Sequence, residues 1–498
     1  MSELARQIRR VTLPTLLLAL LLPACAVPPQ PVEARAPDRR VPEVYAGSNA
    51  ASTTTENSAD IDWTEFFDAP LRALIETALQ NNQELNMLAL EVGISENEVR
   101  ARRGEVLPQL GVGVGAGIEK VGEHTSQGAA DEANDVPEHL KDYMAGFLAT
   151  WEVDIWNKLR NATKAATFRY LASIEGRRFA TTRLVAEIAH AYYELLALDG
   201  QLEVLVENIR IQNDALEVVR LQKQAARVTE LAVQRFEAEV LKNQSKRFSI
   251  QQQILETENR INLLLGRFPQ HIERASDGFL QIRPREVRNG LPTELLENRP
   301  DVREAEFELA AAELDVDVAR AHFYPSLEIG AGVGYQAYTL GHLKESPESL
   351  FYGVSAELFT PLLNRNSIEA HYFSAGAMQM QAVYAYERTI LGAYNEVATQ
   401  LAMIENLDQS FALRERQVER LNDSIETSAG LFTSARADYM EVLLTRREAL
   451  DAQMELIETK QERLSATVSL YRALGGGWSE NTAEQEAQPE HPSEVAQS

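Results

Sequence analysis

The chain has 498 residues, a net charge of −26 and a pI near 4.8. That balance excludes nucleic-acid binding and attraction to anionic lipid through a polybasic surface. A single cysteine excludes an internal disulfide framework and any thiolate metal cluster.

Arg6, Arg9 and Arg10 precede an apolar stretch from Leu13 to Leu22. About ten apolar residues are too few to span a bilayer as a helix, so residues 1–24 read as a signal peptide. Leu22-Pro23-Ala24-Cys25 resembles a bacterial lipobox, with Pro23 its less typical member. Cys25 is therefore the predicted lipidation site and first residue of the mature chain. Ala26 follows it rather than aspartate, which by resemblance to sorted lipoproteins favours the outer membrane. The alternative is an ordinary secretory signal with an incidental cysteine. No later segment approaches 18 consecutive apolar residues. Residues 25–62 are rich in Pro, Ser, Thr and Ala and read as a lipidated, extended tether. About 35 such residues could reach on the order of 100 Å.

An internal duplication follows. The segment from Leu74 to Pro108 aligns without gaps to that from Leu291 to Pro325. Each is helical in pattern and ends in proline, after which residues alternate with period two. The first strands are Leu110 to Ile118, with glycine at 111, 113, 115 and 117, and Leu327 to Tyr335. Second strands are expected at Phe147 to Ile155 and Tyr352 to Thr360, joined through polar loops 119–143 and 336–350. No proline occurs between Pro137 and Pro269 or between Pro361 and Pro489. At ordinary usage about six would fall in each stretch, and each would cost about 3 kcal/mol inside a helix. Helices are therefore predicted from Asn157 to about Gln224 and from about Arg365 to Ser434, each roughly 100 Å long. Return helices are expected at Thr229–Leu265 and Asp438–Leu474. In the last, Leu443, Leu450, Ile457, Leu464 and Tyr471 lie seven apart, the signature of left-handed supercoiling.

The predicted organisation is a first repeat over 63–266 with its hairpin at 107–156, and a connection over 267–290. A second repeat covers 291–474 with its hairpin at 324–361, and residues 475–498 form an unstructured acidic tail. Each strand has about the length needed to cross a bilayer at barrel tilt, with an apolar face for lipid and a Gly and carboxylate face for water. Four strands cannot close a barrel, and an open edge in lipid leaves backbone groups unpaired. Closure then needs other copies: two would give eight strands with a filled interior, three would give twelve and room for a channel.

The motif Glu297-Asn298-Arg299-Pro300-Asp301-Val302-Arg303-Glu304-Ala305-Glu306 resembles the Arg-Pro-Asp signature of the outer-membrane efflux factors, the TolC-type channels. Trp151-Glu152-Val153-Asp154 and the ending Leu470-Tyr471-Arg472-Ala473-Leu474-Gly475-Gly476-Gly477-Trp478 are similar to that family's strand exit and last helix. The likeness runs from about Trp63 to Trp478 and lies with the lipoprotein branch serving drug and metal efflux. It implies a mainly α chain with a membrane β-barrel: a homotrimer with a twelve-stranded barrel, a twelve-helix coiled-coil α-barrel and a mixed equatorial belt. It also implies a periplasmic adaptor protein and an inner-membrane efflux transporter as partners, with outer-membrane lipid around the barrel. The alternatives are a periplasmic coiled-coil scaffold lipoprotein and the outer-membrane channel of a type I protein secretion system.

No catalytic, metal or cofactor site is predicted. The eight histidines are scattered without a His-x-x-x-His pair, and the glycines of 111–117 follow strand spacing rather than that of a dinucleotide loop. The resemblance implies a constriction just after the turn between each long helix and its return helix. There Glu441 matches the position at which the family carries an aspartate ring, where three carboxylates would attract cations. Ala226, Arg227, Ala435, Arg436 and Asp438 are the expected adaptor-docking tip residues, Asp438 as an N-cap. Two departures bear on this tip. Ala226 and Ala435 replace the glycine usual in the turn, although alanine suits a left-handed backbone poorly. Ala232 stands in the first repeat where Glu441 stands in the second.

Overall fold

Proline placement, strand alternation and a few turn residues account for the element order. The computed structural model describes residues 27–45, 62–274, 278–285, 287–434 and 439–478. Cys25 and the tail beyond Trp478 lie outside the described residues. The helices are α1 (Trp63–Phe66), α2 (Ala69–Asn81), α3 (Gln83–Glu105), α4 (Ser126–Ala133), α5 (Lys158–Gln224) and α6 (Glu230–Leu264). After these come α7 (Leu295–Asn298), α8 (Pro300–Ala321), α9 (Asn366–Thr433) and α10 (Tyr439–Ala473). The strands are β1 (Gln109–Glu119), β2 (Leu140–Val153), β3 (Ser326–Ala337) and β4 (Leu350–Phe359). At 67 and 68 residues, α5 and α9 are each about 100 Å long. Among the described residues no helix is long and apolar enough to cross a membrane.

The described residues form two units. The first holds 27–37, 93–172 and 306–385, and contains all four strands. The sheet order is β1-β2-β3-β4, antiparallel throughout. Val112, Phe147, Val333 and Tyr352 form one continuous row across it. All four are exposed within the chain, as are Leu110, Val114 and Val354 on the same face. Among the described residues β1 and β4 each have one neighbouring strand, so both outer edges are free there. β2 begins at Leu140, seven residues before the expected start, because Leu140–Gly146 complete the ladder to Gly113–Glu119. The loop before it carries α4, capped by Thr125, whose side chain accepts from the Gly128 amide.

The same corner chemistry serves both repeats. Asn157 and Asn364 take left-handed φ values of 58° and 56° just before the two long helices. Asparagine is one of the few residues that tolerates this conformation. The Asp154 carboxylate then accepts from the amides of Leu159 and Arg160 at 3.1 and 2.9 Å, capping α5. Trp156 donates its indole N–H to the Pro325 carbonyl at 2.8 Å, and Trp151 donates to that of Val106 at 3.1 Å. The extended segment 27–37 is laid on α9 rather than hanging free. Gln30 donates to the Tyr372 carbonyl, and a Cβ at Gly376 would stand 2.3 Å from the Gln30 side chain.

The second unit comprises 38–45, 62–92, 173–305, 386–434 and 439–478 of the described residues. Its core packs Leu71 and Ile75 of α2 against Ile188, Tyr192 and Leu195 of α5 and Ile261 of α6. The five heptad residues of α10 are all buried. Helices α6 and α10 end alike, at Gly266 (φ 68°) and Gly475 (φ 98°). Each presses on a backbone carbonyl, of Asn81 and Asn298, at which any Cβ would collide. The N-terminal segment continues here, with Tyr45 buried and stacked on Tyr394 at 5.5 Å.

His190 of α5 faces Ser469 of α10 at 3.2 Å. Burial pushes its imidazole down to about 4, and the nearby Arg472 and Arg260 add to the shift. The neutral form is favoured in the fold, so this contribution is complete above the ordinary histidine pKa near 6.5. It is lost as pH falls from there to about 4. The loss should reach roughly 3 kcal/mol. Thermal melts between pH 7 and 4 should therefore show a slope that His190→Gln flattens; an unchanged slope would contradict this account.

Candidate functional site

Of the tip residues predicted from sequence, Ala226, Arg227 and Glu441 are described; Ala435, Arg436 and Asp438 lie outside the described residues. The first-repeat turn is a Schellman motif. The Arg227 amide donates to the Gln222 carbonyl and the Ala226 amide to that of Lys223, both at 2.9 Å. Gly266 and Gly475 close α6 and α10 with the same bond pattern. Ala226 thus occupies, at φ 55°, the position where those two motifs use glycine. Its backbone is strained by about 1 kcal/mol. The turn is held by ion pairs between Lys223 and Glu230 and between Arg220 and Glu237.

The two repeats differ beyond this turn. Ala232 is fully buried, in a cluster with Leu216, Val219, Val233, Phe236, Val240 and Leu443. Glu441, its counterpart, is exposed, and among the described residues it has no ion pair. An acidic side chain at 232 would be driven into that cluster, so only the second repeat can present a carboxylate at this level. Leu443 in the cluster, with Met440 3.2 Å from Arg235, brings the start of α10 against the first-repeat helices.

The Arg-Pro-Asp signature has a structural role that spacing alone did not reveal. Arg299 is 3 % exposed. Its guanidinium donates to both carboxylate oxygens of Asp301 at 2.9 and 2.7 Å. It also donates to Glu396 and to the Ala473 carbonyl, both at 2.9 Å. One side chain thereby ties the start of α8 to α9 and to the last turn of α10. Pro300 occupies the first helical position, where no N–H is needed. Arg274, in the connection between repeats, is similarly forked onto Asp199 and Glu258. Nothing in the spacing of 267–290 marked that residue out.

A sheet with one apolar face and edges free among the described residues, in a chain with helices of 67 and 68 residues, points to a membrane-channel class of protein. The family model for "outer membrane efflux protein" matches residues 74–267 and 291–476. The chain belongs to the outer membrane efflux protein family, and its work is export across the outer membrane. The family is one of channel proteins rather than enzymes. Among similar relatives is the pyoverdine export outer membrane protein OpmQ of Pseudomonas aeruginosa, 28% identical over 92% of this chain and 95% of that protein. Another is the cation efflux system protein CusC of Escherichia coli, 27% identical over 92% of this chain and 97% of that protein. A crystal structure of a Pseudomonas aeruginosa membrane protein superposes with a TM-score of 0.81 at 25% identity, covering 89% of this chain and 99% of the other. The open-state outer membrane channel MtrE of Neisseria gonorrhoeae shares the fold at TM-score 0.79 and 22% identity, over 91% and 98% of the two chains.

Two outcomes follow. Arg299→Met should destabilise the protein by on the order of 2–3 kcal/mol, below the full cost of a broken buried pair because Glu396 stays partly exposed. A fall in melting temperature would register it, and an unchanged melt would remove the clamp. Ala226→Gly should relieve the left-handed alanine, gaining about 1 kcal/mol locally and slowing amide exchange across 224–229 about fivefold. Faster exchange would show that the turn carries no such strain.

Proposed function

We propose that three copies of this chain close edge to edge into a twelve-stranded barrel continued by a helical duct. The duct forms the exit of a tripartite efflux system. The observation that carries this reading is the four-stranded sheet, both of whose edges are free among the described residues, with its apolar outer face. In hydrocarbon each unpaired backbone group costs several kcal/mol, and only closure removes the edges. Three chains give the smallest such closure with an open lumen. The buried heptads of α10 and the length of α5 and α9 suit a coiled-coil tube of the same symmetry.

In this assembly Cys25 carries the lipid anchor, residues 25–62 tether it, and the segment 27–45 is the described part of that tether. Ala226, Arg227, Ala435, Arg436 and Asp438 lie at the periplasmic tip, where an adaptor protein docks and an inner-membrane transporter delivers cargo. Glu441 lies just past the second turn and forms a three-fold carboxylate ring at the aperture. The exposure of Glu441 and the burial of Ala232 both support a ring drawn from one repeat only. The names of similar proteins span pyoverdine, cation and antibiotic export. That range supports a duct whose cargo is set first by the transporter.

The full-length protein, extracted in mild detergent, should cross-link as a trimer and conduct ions in a planar bilayer. Glu441→Ala should weaken block by a multivalent cation added from the tip side by about tenfold, as expected when a close charge ring is removed. Monomers without conductance would overturn the duct. Conducting trimers with unchanged block would remove Glu441 from the aperture alone.

A further inference from the structure

The inner face of the sheet is not uniformly polar. Taken row by row from the helix end, it begins with Glu152, Glu328 and Glu357, which lie directly opposite one another across β2, β3 and β4. Glu152 pairs with Lys158. Glu328 and Glu357 are exposed and have no ion pair among the described residues. The next row is Gln109, Thr150, Gly330 and Ser355. Then the chemistry changes. One row reads Gly111, Leu148, Gly332, Gly353, and the next Gly113, Gly146, Gly334, Phe351.

Leu148 and Phe351 lie flat over the glycines beside them. A Cβ on Gly113 would be 3.0 Å from Leu148, and one on Gly332 would be 3.1 Å from Leu148 and 3.6 Å from Phe351. A Cβ on Gly334 would collide first with the Ala145 carbonyl at 2.4 Å and would also be 2.9 Å from Phe351. Glycine at these positions lets two large apolar side chains spread along the wall instead of standing into the path. Leu148 is nevertheless 41 % exposed on a face where a water-filled barrel calls for polar groups. The next row holds Gly115, Met144 and Gln336, and polar groups resume there, with Gln336 donating diagonally to the Asp142 carboxylate at 2.9 Å.

We infer that this apolar patch, with the carboxylate row beside it, is a contact surface for amphiphilic organic cations in transit, Leu148 and Phe351 receiving the apolar body. The inference rests on the duct reading, which makes this face the lumen. The charge of the occupant follows from Glu328 and Glu357, which make no ion pair among the described residues and lie to one side of the patch. Its reach follows from the strand rise: Leu148 stands four residues from Glu152, about 13 Å along β2. A bare metal ion would use the carboxylates and gain nothing from the apolar rows, and an anion would be repelled.

Gly353→Cys places a thiol in the Leu148 row at a position with no atom within 4 Å of its Cβ. The only other cysteine is Cys25, so the unsubstituted protein sets the background. The full-length protein in intact cells is labelled with a charged methanethiosulfonate. Tetrahexylammonium should slow the reaction at a concentration about tenfold lower than tetramethylammonium, the effect of covering a few methylenes. Adding Leu148→Ser and Phe351→Ser should bring the two probes together while labelling persists. Equal protection by both probes, or a chain-length effect that survives the serine substitutions, would overturn the inference. Val354→Cys, on the opposite face, should not react. Reaction there with none at Gly353→Cys would instead defeat the lumenal placement, and with it the duct.

Discussion

The unpaired backbone of two strand edges is the constraint on which the rest depends. In water, the free edges of β1 and β4 would be solvated and the sheet could stand alone. In hydrocarbon they cannot be, and no side-chain change repairs a missing ladder partner. The chain must therefore be one part of a closed ring, and every other feature serves that ring. The apolar outer row of Val112, Phe147, Val333 and Tyr352 needs lipid. Within the second unit a common core packs the helices together. Strand pairing supplies closure, and helix packing supplies shape.

Duplication explains why so much of the architecture appears twice, and its failures are as informative as its successes. Asn157 and Asn364 turn each strand into its long helix, and Gly266 and Gly475 end each return helix against a carbonyl. These are backbone requirements, so both copies kept them. Side-chain requirements were free to diverge. Ala232 sinks into the cluster around Phe236 while Glu441 faces solvent, so the two repeats differ in side-chain chemistry at matching positions. The Arg299 clamp has no equivalent in the first repeat: the gap-free alignment puts Asn82 at its position. There Asn82 uses a neutral amide to reach the Leu264 carbonyl.

What was legible in the sequence was whatever is periodic or forbidden. Strand alternation, the seven-residue spacing in α10 and the two proline-free stretches announce elements whose register is fixed by burial. The start of β2 was hidden because Lys141 and Asp142 interrupt the apolar alternation, although the backbone pairs there as well as at Phe147. The N-terminal segment reads as a loose tether by composition. Its attachment to α9 is made by scattered contacts, among them Gln30 over Gly376, Arg35 over Tyr384 and Tyr45 on Tyr394, which carry no period. Arg299 stood out as a signature, but its partners Glu396 and Ala473 are 97 and 174 residues away. Long-range polar clamps of this kind leave no local trace.

The inner wall shows where period-two reading runs out. Alternation separates two faces and says that one of them is apolar; it does not say that the other is polar. On the inner face glycine occupies many of the positions, and a glycine carries no hydropathy of its own. The few side chains that remain then set the chemistry of the whole surface. Leu148 and Phe351 do so because the glycines beside them leave room to lie flat. A Cβ at Gly332 would stand 3.1 Å from Leu148 and 3.6 Å from Phe351, so Leu148 would have to give by a few tenths of an ångström. Glycine there is what leaves that side chain its place along the wall.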